Sequence, residues 1–429
     1  MVGNDPMARA KLLSRPRPRR LQIAPHASPG PRRLPLADDA RDIDRAWRPI
    51  YAVWEVTLRC DLACRHCGSR AGHPRPDELS TAECLDLADQ MADLGVLEVT
   101  LIGGEAYLRD DWLEIARRLV QRGLIVTMTT GGRGLTLEHA RAAKEAGLAA
   151  VSVSIDGIGE THDHQRGVPG AFDSALRALD ALSAAGLRSS VNTQINRLSM
   201  PELETILELI AAHGARAWQI QMTVPMGRAA DEPELLLQPS DLLELFPLLG
   251  SLRERADELG VMLWPGNNVG YFGPHETALR GNSPSGHSGS CGAGRTLLGI
   301  EADGSIKGCP SLPSSAWIGG NVRDAKLKDI WERAEPLRYT RDRGIDSLWG
   351  YCRTCYYADE CRAGCTWTSF VFFGKPGNNP YCHHRALEMQ RVGKCERLVR
   401  RESAPGLPFD FGQFEIVVDD LRSESGGMK

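Results

Sequence analysis

No apolar run in the sequence approaches the roughly 20 residues that a membrane-spanning helix needs, so no membrane partner is expected. An excess of one charge is missing too. Lys and Arg number 51 against 55 Asp and Glu, a net of −4, which leaves no whole-protein footprint for nucleic acid. Residues 1–35 hold eight basic side chains and one Asp, but no apolar core and no small-residue cleavage site, which excludes a secretory signal. There is no internal repeat. Cysteine is scarce, twelve in 429 residues. Without export these thiols are expected in the reducing cytoplasm, where disulfides are rare and clustered cysteines act as metal ligands or catalysts.

What is present is an ordinary globular composition, 42% hydrophobic and 25% charged, which argues against disorder and against a fibrous protein. The length suits two or three domains, or one barrel with an appendage. Residues 1–46, rich in Pro, Arg and Ala, read as a flexible tail. A nucleic-acid-binding arm is the alternative there. From Tyr51 onward short β-rich runs alternate with amphipathic stretches. Strands are expected at 51–58, 96–102, 125–130, 149–155, 189–195 and 217–224. Helices are expected at 80–94, 110–121, 137–146, 171–185 and 201–213. Ser80 and Glu83 make a capping box for the first of these helices. Six strands alternating with five helices imply parallel β/α units, as a partial (β/α)6 barrel or an open doubly wound sheet, with ligands at the C-terminal strand ends. The organisation read from the sequence is an α/β barrel over 47–230, a helical and loop linker over 231–290, with a helix at 235–259, a cysteine-rich domain over 291–395 and a tail over 396–429.

The first strand is followed by Cys60-Asp-Leu-Ala-Cys64-Arg-His-Cys67. Three thiolates on one tight loop leave a coordination position open, on zinc or on one iron of an iron–sulfur cube. A zinc loop, or three thiols without a metal, is the plainer alternative. The second strand ends in Gly103-Gly104-Glu105, where two glycines admit a ligand to the backbone and a carboxylate can accept from an ammonium group. The fourth ends in Ser152-Val-Ser154-Ile-Asp156. Period-two alternation sets Ser152, Ser154 and Asp156 on one face, a polar lumen in a barrel.

On these motifs, the segment from Trp54 to about Val224 resembles the radical S-adenosylmethionine enzymes. The resemblance implies that Cys60, Cys64 and Cys67 hold a 4Fe–4S cluster whose free iron chelates the amino and carboxylate groups of S-adenosylmethionine. It implies that Gly103, Gly104 and Glu105 bind the cofactor's amino group and Ser154 its carboxylate. Arg166 is a candidate planar partner for that carboxylate. His162 and His164 read as loop residues. The chain differs from the common family pattern in Ala106, where Pro is usual, and in Thr130-Gly131-Gly132, where Thr-Asn-Gly is usual.

Downstream stand Cys291, Cys309, Cys352, Cys355, Cys361, Cys365 and Cys382. The core C-x2-C-x5-C-x3-C points to metal; a pair of structural zincs is the rival. The set is similar, position for position, to the SPASM domain, which carries two auxiliary 4Fe–4S clusters. That likeness implies an outer cluster on Cys352, Cys355, Cys361 and Cys382, and an inner one on Cys291, Cys309 and Cys365. Relatives often carry a further cysteine where this chain has Ser285, so the inner cluster either keeps an open iron or takes His287 or Cys395 as its fourth ligand. Cys84 reads as a small buried apolar residue.

The resemblance implies three 4Fe–4S clusters, reductive cleavage of S-adenosylmethionine to a 5′-deoxyadenosyl radical, and hydrogen abstraction from an unactivated C–H bond. It points to a maturase that oxidatively modifies, for instance crosslinks, a ribosomally made peptide. Its expected partners are an electron donor such as a flavodoxin or ferredoxin and a separate leader-recognition protein. A radical enzyme acting on a small molecule such as a haem precursor, a sulfatase maturase, and a metal-binding scaffold without turnover are the alternatives.

Overall fold

The run Tyr-Ala-Val-Trp-Glu forms β1 (Tyr51–Glu55), with Ala52 and Trp54 fully buried. A parallel sheet covered on both faces requires such an apolar strand. The computed structural model describes residues 36–270, 272–280 and 291–421. On one side of β1 lie β2 (Glu98–Ile102), β3 (Ile125–Thr130), β4 (Ala150–Ser154), β5 (Arg188–Ile195), β6 (Ala217–Met222) and β7 (Met262–Pro265), each parallel to the strand before. On the other side β8 (Leu297–Ile300) pairs parallel with β1, and β9 (Ser305–Lys307) and β10 (Gly320–Asn321) continue antiparallel.

The strand order excludes the doubly wound alternative, because β1 to β7 follow one another without a reversal and offer no switch point. Right-handed crossovers then put the connecting helices on one face and leave the other as a lumen. Alternation does the sorting. Trp218, Ile220 and Met222 of β6 are buried in the main core, while Gln219 and Gln221 between them line a central cavity. The first barrel helix, Thr81–Leu94, has the expected capping box, with Glu83 accepting from the Ser80 N–H at 2.8 Å, and it ends at Gly95 with φ +89°. Cys84 is buried on it.

Three segments depart from the sequence reading. Within the presumed linker, the helix is Leu242–Glu258 and Met262–Pro265 adds the strand β7. The presumed C-terminal tail is an antiparallel hairpin through residue 420, β11 (Lys394–Glu402) with β12 (Gln413–Asp420). Inside the presumed N-terminal tail, Asp42–Ala46 is a short helix. Its Asp44 is buried and meets Arg341 at 3.1 Å, Arg338 at 2.8 Å and Arg41 at 2.9 Å. Two of those partners lie about 300 residues away, beyond the reach of local pattern. The remainder of the tail, residues 1–35, lies outside the described residues. No helix among the described residues is long and apolar enough to cross a membrane.

The cysteine-rich segment does not stand apart from the barrel, because β8 extends the barrel sheet. A buried charge network locks the joint: Arg75 reaches Glu55 at 3.3 Å and Glu301 at 2.9 Å, and the fully buried Lys307 ammonium meets Glu301 at 2.7 Å.

Asp44→Ala leaves the fully buried Arg341 guanidinium without its carboxylate. It should lower unfolding stability by about 3 kcal/mol in urea titration, whereas Asp42→Ala, at an exposed carboxylate, should leave the midpoint unchanged.

Candidate active site and cysteine clusters

The loop after β1 is pressed against the end of β2. Gly104 N–H donates to Thr57 O and Glu105 N–H to Arg59 O, both at 2.8 Å. A Cβ at Gly103 would lie 2.3 Å from Thr57 O, and one at Gly104 2.2 Å from Arg59 O and 2.6 Å from Cys60 Cβ. Glycine at both positions is therefore a steric requirement of the cysteine loop itself. The same loop is held from the far side, where Ala63 N–H donates to Arg166 O and Arg65 N–H to Gln165 O. Arg228 adds bonds from its guanidinium to Cys64 O at 3.1 Å and Ala71 O at 2.5 Å.

Cys60, Cys64 and Cys67 pack together and line a cavity of about 570 Å³. Each sulfur faces a donor: Leu62 N–H on Cys60 and Ala71 N–H on Cys67 at 3.4 Å, and the Arg166 guanidinium on Cys64 at 3.6 Å. Burial pushes the Cys60 and Cys64 thiols up. Three half-buried or buried thiols with N–H donors aimed at their sulfurs fit a cationic iron–sulfur cluster, which would hold them as thiolates. Cys60 also lies within 4.8 Å of carboxylate oxygens of Asp61 and Glu105, and the Glu105 carboxylate has two protein donors of its own. It accepts from the Thr130 hydroxyl at 2.5 Å and Gly131 N–H at 2.6 Å. Burial outweighs those bonds and lifts its pKa to about 7. Gly131 has its own reason: a Cβ there would lie 2.2 Å from Leu62 Cδ1, so a larger residue at this place requires the buried Leu62 side chain to move.

Ser154, Asp156 and Arg166 line the same cavity. Arg166 sits on a helix, Glu160–Arg166, where a loop was expected, and His162 is buried on it. The Arg166 guanidinium meets Asp156 at 2.5 Å, and His66 Nε2 meets the same carboxylate at 3.1 Å. Burial works against ionisation of Asp156, yet Arg166 and His66 hold its carboxyl below the usual range. Asp156 thus ties the cysteine loop, through His66, to the helix that carries Arg166. The role of His66 was not legible from spacing alone.

Cys291, Cys309 and Cys365 line the cavity that the first cysteine loop also lines. Burial lifts the Cys309 thiol to about 12 and Cys365 to about 11. Gly299 of β8 allows this: a Cβ there would lie 2.4 Å from Pro310 N. Cys352, Cys355, Cys361 and Cys382 surround a second, smaller cavity. Between the two groups, Arg362, Ala363 and Gly364 have φ of +51°, +62° and +58°. This left-handed turn directs Cys361 to one cavity and Cys365 to the other. Cys395 lies on β11, paired with Asp419, and is not among the described residues lining the first cavity. Ser285 and His287 fall outside the described residues.

Reasoning from sequence also missed the cavity's apolar side. Trp367 Nε1 donates to Met226 Sδ at 3.2 Å. Phe409, from the segment between β11 and β12, reaches the same wall with φ +55°, its N–H bonded to Gly68 O at 3.0 Å.

Comparison with known families matches residues 54–210 to the radical SAM superfamily and residues 291–356 to SPASM, an iron–sulfur cluster-binding domain. The AdoMet-dependent heme synthase of Nitratidesulfovibrio vulgaris is 30% identical over 360 residues, which span 79% of this chain and 93% of that protein. The mycofactocin maturase MftC of Mycolicibacterium smegmatis is 32% identical over 356 residues, 80% of this chain and 86% of the relative. Among solved structures, Streptococcus suis SuiB bound to S-adenosylmethionine aligns with a TM-score of 0.61 at 15% identity, over 78% of this chain and 76% of that one. That last likeness concerns the fold alone. The chain belongs to the radical SAM superfamily and carries a SPASM domain. It is an enzyme of radical chemistry that binds S-adenosylmethionine and iron–sulfur clusters.

Gly104→Ala should drive the cysteine loop off the end of β2. Iron bound after anaerobic reconstitution should fall, together with the thermal midpoint. Gly72→Ala, where a Cβ meets nothing within 4 Å, should retain both.

Proposed function

We propose that this enzyme is a peptide maturase that carries out a net two-electron oxidation on a ribosomally made precursor. The observation that carries this reading is the shared cavity: the Cys60 loop and the trio Cys291, Cys309 and Cys365 wall the same space. In this reading residues 47–230 are the radical-generating unit, 231–290 the connection and 291–395 the auxiliary-cluster unit. Cys60, Cys64 and Cys67 hold one cluster, Cys291, Cys309 and Cys365 a second, and Cys352, Cys355, Cys361 and Cys382 a third. When bound, the clusters supply one electron to cleave S-adenosylmethionine to a 5′-deoxyadenosyl radical and take one electron back from the substrate. The protein's part is to bind, orient and exclude water. Gly103, Gly104 and Glu105 receive the cofactor's ammonium group. Ser154 and Arg166 receive its carboxylate, with Asp156 fixing the guanidinium. Met226, Trp367 and Phe409 shield the cavity. An electron donor such as a flavodoxin or ferredoxin feeds the first cluster, and a separate protein recognises the leader.

A second reading, a haem precursor as substrate, is favoured by the likeness to AdoMet-dependent heme synthases. The lining chemistry speaks for the peptide. Among the described residues lining the cavity, Arg166 is the one Lys or Arg, and in this reading it serves the carboxylate of S-adenosylmethionine. A tetrapyrrole with several carboxylates would find no further Lys or Arg there.

Co-expression with short peptides encoded beside its gene, followed by mass measurement, should give a loss of about two mass units per modification, as two hydrogens depart. Iron-porphyrin precursors should be unchanged by the purified enzyme; turnover of those alone would favour the second reading. Reconstituted protein should bind about 12 iron atoms per chain. The combined Cys60→Ala, Cys64→Ala, Cys67→Ala protein should form no 5′-deoxyadenosine, and a protein that took up zinc alone would overturn the assignment.

Glu105 sets a pH dependence. With its pKa lifted to about 7, it is protonated below that pH and must lose the proton to receive an ammonium group. The dissociation constant for S-adenosylmethionine, measured by calorimetry, should therefore weaken by about tenfold per pH unit below 7 and level off above it. Glu105→Gln should flatten the profile.

A further inference from the structure

Four carboxamide side chains stand together on the cavity wall. Asn192 and Gln194 of β5 and Gln219 and Gln221 of β6 all line the cavity. The strand register pairs Asn192 with Gln219 and Gln194 with Gln221, so they make a two-by-two block on one face of the sheet. Their side chains make no hydrogen bonds to other described residues. Neighbouring polar groups are spoken for. The Asn268 amide donates to Met222 O at 2.7 Å and accepts from Met222 N–H at 3.3 Å. The Thr193 hydroxyl donates to Ile155 O at 2.6 Å and accepts from Trp218 Nε1 at 2.8 Å. The block is thus an open hydrogen-bonding surface on the cavity wall, and such groups need a partner when solvent is displaced.

The chemistry of the block specifies that partner. Each carboxamide offers an acceptor and a donor side by side, the pair that a peptide bond offers in return. Side chains two residues apart on a strand stand about 6.6 Å apart. An extended peptide presents the N–H and C=O groups of one edge with that same period. The amides are neutral, so docking a backbone against them requires no ion to be desolvated. We infer that Asn192, Gln194, Gln219 and Gln221 dock the extended backbone of the substrate peptide inside the barrel. Contacts of this kind read backbone and not side chains, so they fix the substrate's register while the apolar wall of Met226, Trp367 and Phe409 meets its side chains.

This inference rests on the peptide reading above, and one experiment separates the two. The anaerobically reconstituted full chain carrying Gln219→Met and Gln221→Met is compared with the unsubstituted enzyme, using the peptide modified in the co-expression screen. Met keeps the length of Gln and removes the hydrogen bonds. The KM for that peptide should rise about tenfold, the loss of two neutral hydrogen bonds, with kcat within threefold. The dissociation constant for S-adenosylmethionine should stay within twofold. If the double variant fails to retain its iron, Gln221→Met alone should raise KM about threefold. An unchanged KM would overturn the inference while leaving the peptide reading intact. So would a tenfold loss of S-adenosylmethionine affinity with peptide KM unchanged, which would make the block a cofactor site. An unsubstituted enzyme that modifies no peptide would overturn both.

Discussion

Two backbone hydrogen bonds, from Gly104 to Thr57 and from Glu105 to Arg59, bring the end of β2 onto the cysteine loop. The rest of the site depends on that contact. It forms because no Cβ stands at Gly103 or Gly104. It sets Glu105 against Thr130 and Gly131 at the end of β3, in a place where burial, and not a neighbouring charge, governs the carboxyl. On the opposite side of the loop charge prevails over burial. Asp156 is fully buried, and Arg166 and His66 keep it ionised. Two buried carboxyls that line one cavity therefore shift in opposite directions, because ion pairing outweighs burial at Asp156 while burial prevails at Glu105.

The cavity is assembled from segments far apart in the chain. The Cys60 loop, the wall of β5 and β6, the trio Cys291, Cys309 and Cys365, and Phe409 all contribute to it. Continuity of the sheet makes this possible. Because β8 pairs with β1, the cysteine-rich segment begins as part of the barrel and needs no separate docking surface. The charge network of Arg75, Glu55, Glu301 and Lys307 fixes that joint. A buried network of this kind holds one geometry, since any shift leaves a charge unpaired in low dielectric. The C-terminal segment then returns to the same wall, with Asp410 bonded to the buried Arg70 at 2.8 Å and Phe409 bonded to Gly68.

Local pattern carried much of this. The capping box at Ser80 and Glu83, the alternation that turns Ser154 and Asp156 into the lumen, and the C-x3-C-x2-C and C-x2-C-x5-C-x3-C spacings each lie within one short stretch of chain. Hydrogen-bond geometry and side-chain period act over that range. The amide block on β5 and β6 was legible in principle as polar residues alternating with buried ones, but alternation alone does not say that the polar face is a cavity wall. The strands β7 to β10 are two to four residues long and carry too little period to be recognised. The hairpin of β11 and β12 has the local pattern of a tail, because charged residues dominate β11.

Sequence was sufficient for the class of chemistry, since ligand type and spacing are properties of adjacent residues. Which cysteines share a cavity, which carboxylate meets a guanidinium, and which carboxamides line the cavity wall were settled by tertiary structure. Those facts belong to pairs separated by tens to hundreds of residues: His66 with Asp156, Asp44 with Arg341, Gly68 with Phe409. Their energies depend on burial, which exists once the chain has folded.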